Sequence, residues 1–510
     1  MIGKENMEGI RMDFICGADR NQIILLPDTI DQYVDENNSV RVIEAYVNSL
    51  DLSKLGFVNS QPHDTFRPMY DPKDLLKLYI YGYMNRVRSS RRLEAETKRN
   101  LEVIWLLGKL SPDHKTIARF RHDNTKALKN VFRDFARLCM KLELYGKEMI
   151  GIDGSKFKAV NSKERNFGVK KIEERIARIN AKIDEYLKEL EESDKQENAV
   201  ESEKSREEIV QIIARLAERK GVYEGYREEL EQSGEKQKSL TDPDSRLMMA
   251  NGKLDVCYNV QTAVDAKNKL IAEFSVTNCA ADSNQLTPMA ELSKEMFETE
   301  TITAVGDAGY DSVQDVVKSM EQNIVAHVAG TDYDICVPTE EVPAEKVPAE
   351  EGSAPEVTTH KDGRCVYFAE RNIVLCPMGQ ILYPGFHKKT GFAVFYNTKA
   401  CKQCTCKCGK GTHGHRHQVP MPAANFSKVY DDQNLNVKQI RITADKDITR
   451  QRKAIVEHPF GTIKRTMDAG YCLTKGLKNV SGEFSLTFLA YNLKRAIKIL
   501  GSKMLIQCIV

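Results

Sequence analysis

The sequence has no run approaching the roughly 20 apolar residues that a bilayer-spanning helix needs. Its first residues, MIGKENMEGIRMDFICGADR, lack the apolar stretch of a secretory signal. These absences exclude membrane and exported classes, and a cytoplasmic protein with no membrane partner is expected. Net charge is scarce as well: 75 Lys and Arg against 73 Asp and Glu leave +2. The chain is therefore neither uniformly basic nor uniformly acidic. Tryptophan occurs once, as Trp105 in LEVIWLLGKL, and reads as core. Cysteine lacks an even count: there are 13, and Cys401, Cys404, Cys406 and Cys408 crowd too closely for a disulfide ladder. Reduced thiols and metal binding fit that pattern better.

What is present is a 510-residue chain, 41% hydrophobic and 29% charged, which are ordinary globular values. At roughly 100 to 200 residues per domain, the length allows about three domains. The near-zero net charge hides segregation. Residues 66–146 hold 18 Lys and Arg against 9 acids, residues 385–510 hold 22 against 7, and residues 168–238 hold 15 against 19. Two basic regions flanking an acidic one suit a polyanion bound by two parts of the chain, and solvated helix faces are the alternative.

Residues 72–145 read as several helices. Pro72 suits a first helical position, Leu75, Leu76, Tyr79, Ile80 and Tyr83 recur at helical spacing, and Ser111-Pro112-Asp113 starts another helix. Basic helices joined by a tight turn suit a helix-turn-helix arrangement. From Met149 the texture changes to α/β: MIGIDGSKFKAV, DVCYNVQTAVDAKNKLIAEFSV with a turn at 265–268, TITAVGDAGYDS before a helix at 312–322 with Asp311 as its cap, and IVAHVAG. Between the first two of these lies an insertion. Ile172, Ile176, Ile179, Ile183 and Leu190, then Ile209, Ile212, Leu216, Tyr223, Tyr226 and Leu230, carry coiled-coil spacing, and an antiparallel helical hairpin over 168–238 is expected. VPTEE, VPAEK and VPAEE form an acidic Pro/Glu linker, and FSLTFLAYNLKRAIKIL forms a final helix expected to pack on the sheet.

Asp153 and Asp307 each follow an apolar run. If their strands are neighbours, the carboxylates converge and call for a divalent cation, with hard oxygen ligands favouring Mg²⁺ or Mn²⁺. Helix capping is the other reading. Arg450, Lys453, Glu457 and Lys464 fall at spacings of 3, 4 and 7, so one helix face presents an acid among cations, as two-metal phosphoryl chemistry requires. The bland reading is an exposed, ion-paired helix, against which His458-Pro459 argues, because a proline breaks or kinks a helix. Asp265 and Asp282 read as turn or cap residues near the sheet.

The blocks PMYDPKDLLKLYIYGYMNRVRSSRRLE, GIDGSKFKA, TDPDSRLM, YNVQTAVD, GDAGYD, VEHPFGTIKR and AYNLKR, in this order, resemble bacterial insertion-sequence DDE transposases, in particular insertion-sequence family 1182, over nearly the whole chain. The resemblance implies an RNase H-like catalytic fold in which Asp153, Asp307 and Glu457 hold two Mg²⁺ or Mn²⁺ ions. It implies cleavage at transposon ends and transfer of the freed 3′-hydroxyl into target double-stranded DNA by a homodimer on DNA, in association with the nucleoid. Arg450, Lys453, Lys464 and Arg465 would then meet DNA phosphates at the site, and Arg88, Arg91, Arg92, Lys115, Arg119 and Arg121 would do so in the N-terminal region. One departure stands out. Related enzymes carry Tyr, two residues, Arg, three residues, Glu, six residues, Lys, whereas here Arg450 stands in place of the Tyr and Lys453 in place of the Arg.

Cys376, Cys401, Cys404 and Cys408 offer four thiolates for a structural Zn²⁺, with Cys406 as an alternative ligand and free thiols as the other reading. The expected organisation is a helical DNA-binding region at 1–146, an RNase H-like catalytic domain at 147–335, a linker at 336–362, a Cys-rich module at 363–430, and the rest of the catalytic domain at 431–510. Two other functions stay open: a catalytically silent DNA-binding derivative, and an RNase H-like nuclease without strand transfer.

Overall fold

The computed structural model describes residues 29–58, 69–195, 206–250, 252–329, 332–338, 366–368, 373–376, 381–388, 392–397, 416–420 and 437–510. The N-terminal part is helical: α1 (Ser39–Ser49), α2 (Pro72–Met84), α3 (Ser90–Arg99), α4 (Leu101–Leu106), α5 (His114–Asp123) and α6 (Thr125–Lys141). Local chemistry sets the starts. Asp71 caps α2 by accepting from Lys73 N at 2.8 Å, with Pro72 at the first helical position, where its missing N–H costs nothing. Asp113 caps α5 through Lys115 N and Thr116 N, both at 2.8 Å. Trp105 sits at the margin of the core rather than inside it: its Nε1 donates to Asp31 at 2.8 Å, and Arg41 lies over the ring.

The central sheet contains β1 (Met149–Lys158), β4 (Arg246–Ala250), β5 (Lys253–Asp265), β6 (Ile271–Thr277), β7 (Ile302–Gly306) and β8 (Ile324–Val328). The long β5 pairs antiparallel with β1 on one side and with β4 and β6 on the other, whereas β7 lies parallel to β1, and β8 parallel to β7. The turn after β5 falls at the expected place. Asp265 closes it by accepting from Lys267 N and also holds Gly146 N and Lys147 N. Helix α9 (Leu286–Phe297) packs on this sheet, and α10 (Val313–Glu321) precedes β8, with Ser312 rather than Asp311 at its N-cap.

Between β1 and β5 the expected hairpin is present. Short strands β2 (Asn166–Gly168) and β3 (Gln237–Ser239) pair antiparallel at its base, below helices α7 (Val169–Lys195) and α8 (Arg206–Ser233). Phe167, Ile172, Ile179, Tyr223 and Leu230 form its own small core. The antiparallel arms use the predicted positions because a helix places residues three and four apart on one face.

After β8 the chain builds a second, antiparallel sheet: β9 (Asp332–Pro338), β10 (Val366–Phe368), β11 (Ile373–Leu375), β12 (Ile381–Lys388), β13 (Phe392–Tyr396), β14 (Arg416–Pro420) and β15 (Val437–Thr443). It crosses the boundaries expected from composition. Cys336–Pro338 belong to β9 rather than to the linker, and β15 pairs with β9 along its length. The repeat from Thr339 to the end of the linker lies outside the described residues.

The chain then forms α11 (Lys446–Gly461), α12 (Leu477–Leu500) and α13 (Ser502–Ile509). Pro459 does not break α11, which runs to Gly461 and passes into a wider π-type turn at Thr462–Thr466. Helix α12 packs on β6, as anticipated, but more extensively on α6 and α2. Asn492 pairs with both backbone polar groups of Ile271 on β6, while buried Glu483 binds Arg88 at 3.2 Å. Among the described residues, no helix is long and apolar enough to cross a membrane.

Candidate active site

The parallel pairing of β1 and β7 sets Gly151 opposite Val305. Asp153 and Asp307, each two residues further on, therefore reach the same level of the sheet. Asp153 lies within β1 opposite Thr262 of β5, and Asp307 caps a short 3-10 turn by accepting from Gly309 N at 2.8 Å. The expected neighbouring strands thus exist, and the capping reading of Asp307 also holds.

Two glycines in GIDGSK are explained by close approach. A Cβ on Gly151 would stand 2.7 Å from Val456 Cγ1 and 3.0 Å from Ile455 Cγ2, so bare backbone lets α11 lie on β1. A Cβ on Gly154 would meet Gln261 Nε2 and Asp282 Oδ1. Asp282 thereby reaches the strands and accepts from Lys156 at 2.9 Å, Asn259 at 2.8 Å and Gln261 at 2.7 Å. Gln261 in turn accepts from buried Tyr310. Asp282 is more than a turn residue: it anchors a polar network beside Asp153.

The two acids are joined by a residue that local sequence patterns do not single out. Arg452 Nη2 donates to Asp153 Oδ1 at 2.8 Å and to Asp307 Oδ2 at 3.1 Å. Burial pushes the Asp153 carboxyl up to about 6, opposed by Arg452 and reinforced by the charges of Asp307 and Asp282. Arg452 is found through the apolar stripe of α11. Ile455, Val456, Pro459 and Phe460 are buried, and Arg452 precedes Ile455 and Val456 by three and four positions, on the face that meets the sheet. Centring the helix on Glu457 selects a neighbouring face instead.

That difference has consequences for the other expected residues. Glu457 has a side chain 63% exposed and faces Lys453 at 3.8 Å, and no group of three metal-binding side chains exists among the described residues. The structure thus brings Asp153 and Asp307 together without Glu457. Arg450 is exposed and pairs with Asp447, and Arg465 is exposed. Lys464 does reach the site, donating to Ser155 Oγ and to the Lys156 carbonyl. In the N-terminal region, Arg91, Arg92, Lys115 and Arg119 are exposed, on α3 and α5, which pack together. Arg88 and Arg121 instead point inward. Arg88 is buried against Glu483 and Tyr471, and Arg121 donates to Tyr83 and lies over Tyr79, so both hold the fold together. Cys376 is buried and belongs to no metal-binding cluster among the described residues, and Cys401, Cys404, Cys406 and Cys408 lie outside those residues.

Residues 28–123 match the family model of a transposase domain (DUF772), and residues 375–497 match that of the transposase DDE domain. No match was found among curated proteins. The class is that of polynucleotidyl transferases. Together the two matches support a DDE transposase of the insertion-sequence kind. The DDE match includes Arg452, Glu457 and Lys464, whereas Asp153 and Asp307 precede it in the chain.

Proposed function

We propose that this transposase cuts transposon ends and transfers the freed 3′-hydroxyl into target double-stranded DNA, in a reaction dependent on divalent metal, within the insertion-sequence family 1182 group. The observation that carries the proposal is the convergence of Asp153 and Asp307 on one cationic nitrogen, at 2.8 and 3.1 Å. Two hard oxygen donors that already share a cation fit Mg²⁺ or Mn²⁺. Antiparallel β6, β5 and β1 followed by parallel β7 and β8, with the acids on β1 and after β7, support an RNase H-like reading of the sheet.

In this proposal Asp153 and Asp307 would hold the metal, and Glu457, which lies on the neighbouring face of α11 and outside the pair in this structure, is the candidate third acid. Bound metal supplies activation of water or a 3′-hydroxyl and stabilisation of the leaving oxygen. Lys464 neutralises phosphate beside Asp153, and the packed β1 and α11 keep these groups in register. The exposed cations of α3 and α5 hold DNA outside the site, on a homodimer that brings two ends together. Cys376, Cys401, Cys404 and Cys408 bind one structural zinc per chain, which elemental analysis of wild type against a Cys401→Ser, Cys404→Ser variant tests.

The decisive experiment compares Asp153→Asn, Asp307→Asn and Glu457→Gln on a labelled transposon end. Each is expected to abolish cutting and joining while keeping DNA binding. Retained cutting by either Asp variant refutes the site, and retained cutting by Glu457→Gln alone removes Glu457 from it.

A further inference from the structure

We propose that Arg452 is an internal competitor for the divalent cation, setting how tightly the Asp153 and Asp307 pair binds metal. The inference rests on the reading of that pair as the metal site. Arg452 is the only side-chain cation in ion-pair contact with either acid among the described residues. It uses one nitrogen for both acids, occupying one oxygen of each. A divalent ion drawing on those oxygens must displace the guanidinium or share the site with its charge.

The manner of the contact supports exchange rather than permanent fixation. An arginine that serves structure commonly grips a carboxylate with two parallel hydrogen bonds. Here both bonds leave from Nη2, and the buried Nε has no acceptor among the described residues. A buried donor without a partner is unfavourable, so this arrangement is poorly satisfied on the arginine side. Asp282 provides the contrast, since its carboxylate takes both of its oxygens to Lys156 and is held further by Asn259 and Gln261. The neighbouring acid has a settled cation, whereas the Asp153 and Asp307 pair has an exchangeable one.

Arg452 is thus a positioning residue. It holds two like-charged carboxylates together until metal takes over, and it weakens metal binding by its own charge. Removing that charge should raise metal affinity, an effect that loss of a merely structural arginine would not produce.

The test is Mn²⁺ binding to the full-length protein, followed by calorimetry and electron paramagnetic resonance, in wild type, Arg452→Gln, Arg452→Met and the Asp153→Asn, Asp307→Asn double variant. Both Arg452 variants are expected to bind Mn²⁺ about tenfold more tightly than wild type, equivalent to about 1.4 kcal/mol. In chelator they should melt below wild type, and Mn²⁺ should raise their melting temperature by more than it raises that of wild type. The Met variant keeps an apolar stem of similar length, so the comparison survives if the Gln variant folds poorly. Equal or weaker Mn²⁺ binding by the folded Arg452 variants overturns the competitor role. Absence of Mn²⁺ binding in every protein, or binding unchanged in the double Asp variant, overturns instead the reading of the pair as a metal site.

Discussion

Lys464 donates from Nζ to Ser155 Oγ at 2.5 Å, tying the residue seven positions beyond Glu457 to the strand residue two positions beyond Asp153. Its ammonium lies 4.6 Å from the ring centre of Phe157, and burial lowers its pKa while the charge of Asp153 opposes that shift. Lys464→Ala should remove a charge-assisted phosphate contact of about 1.5 to 3 kcal/mol, a loss of roughly ten- to hundredfold in cutting and joining. Overall end binding should change little if, as proposed, the helical region also holds DNA. Single-turnover cutting beside a binding titration checks this, and a normal cutting rate would remove Lys464 from the site.

The raised Asp153 carboxyl makes a stability prediction. With a folded-state pKa of about 6 against an ordinary value of 3.8, the native protein holds this proton more tightly than the unfolded chain. Stability therefore falls as pH rises through that interval, and the penalty is complete above about pH 6 to 7. Asp153→Asn keeps the shape of the neutral acid and escapes the penalty. In chelator, its melting temperature minus that of wild type should grow from about pH 4 to pH 7 and then level off. A difference that stays flat across this window would contradict a raised pKa.

Gly151→Ala should push α11 off β1, since the new methyl would meet Val456 and Ile455 at 2.7 to 3.0 Å. Overpacking of this kind costs about 1 to 3 kcal/mol, and cutting should fall with it because Arg452 and Lys464 sit on the displaced segment. Gly221→Ala in α8 is the control. Nothing lies within 4 Å of its added Cβ, and alanine in a helix is favoured over glycine by roughly 0.5 to 1 kcal/mol. Chemical denaturation of the two variants should move in opposite directions.

The N-terminal arginines should divide by burial. Replacing exposed Arg91, Arg92, Lys115 and Arg119 with Ala should lower end affinity and flatten its dependence on salt, by about 0.9 in logarithmic slope for each phosphate that is no longer neutralised. Arg88→Ala should chiefly lower the melting temperature, because it strands buried Glu483 without its cation. An unchanged salt slope in the fourfold variant would place end recognition elsewhere.

Local signals in the sequence are legible wherever one residue type has one dominant physical use. Asp71-Pro72 and Asp113 start helices where expected, the spaced Ile residues form the hairpin, and the apolar runs before Asp153 and Asp307 become neighbouring strands. Relationships across long separations are not. Arg452 and Asp153 are 299 positions apart, and Arg88 and Glu483 are 395 apart. The apolar stripe of α11 marks the face that carries Arg452, but no local pattern names the distant acid that such an arginine meets. The second sheet is hidden for another reason: its strands are short, interrupted segments, and the Pro/Glu repeat and cysteines between them dominate the composition there.

Helix α12 belongs to the sheet and to the N-terminal helices at once, through Asn492 on one side and Glu483 on the other. Its sequence follows that of α2 and α6 by more than 300 residues, yet these helices need it to bury their apolar faces. A reading frame interrupted before Leu477 would therefore leave these helices with exposed apolar surface, prone to aggregation or proteolysis, rather than a shortened repressor that still occupies transposon ends. Decay of the element by truncation should erase the protein altogether, and a silent DNA-binding relic should arise only by point substitution in an otherwise full-length chain.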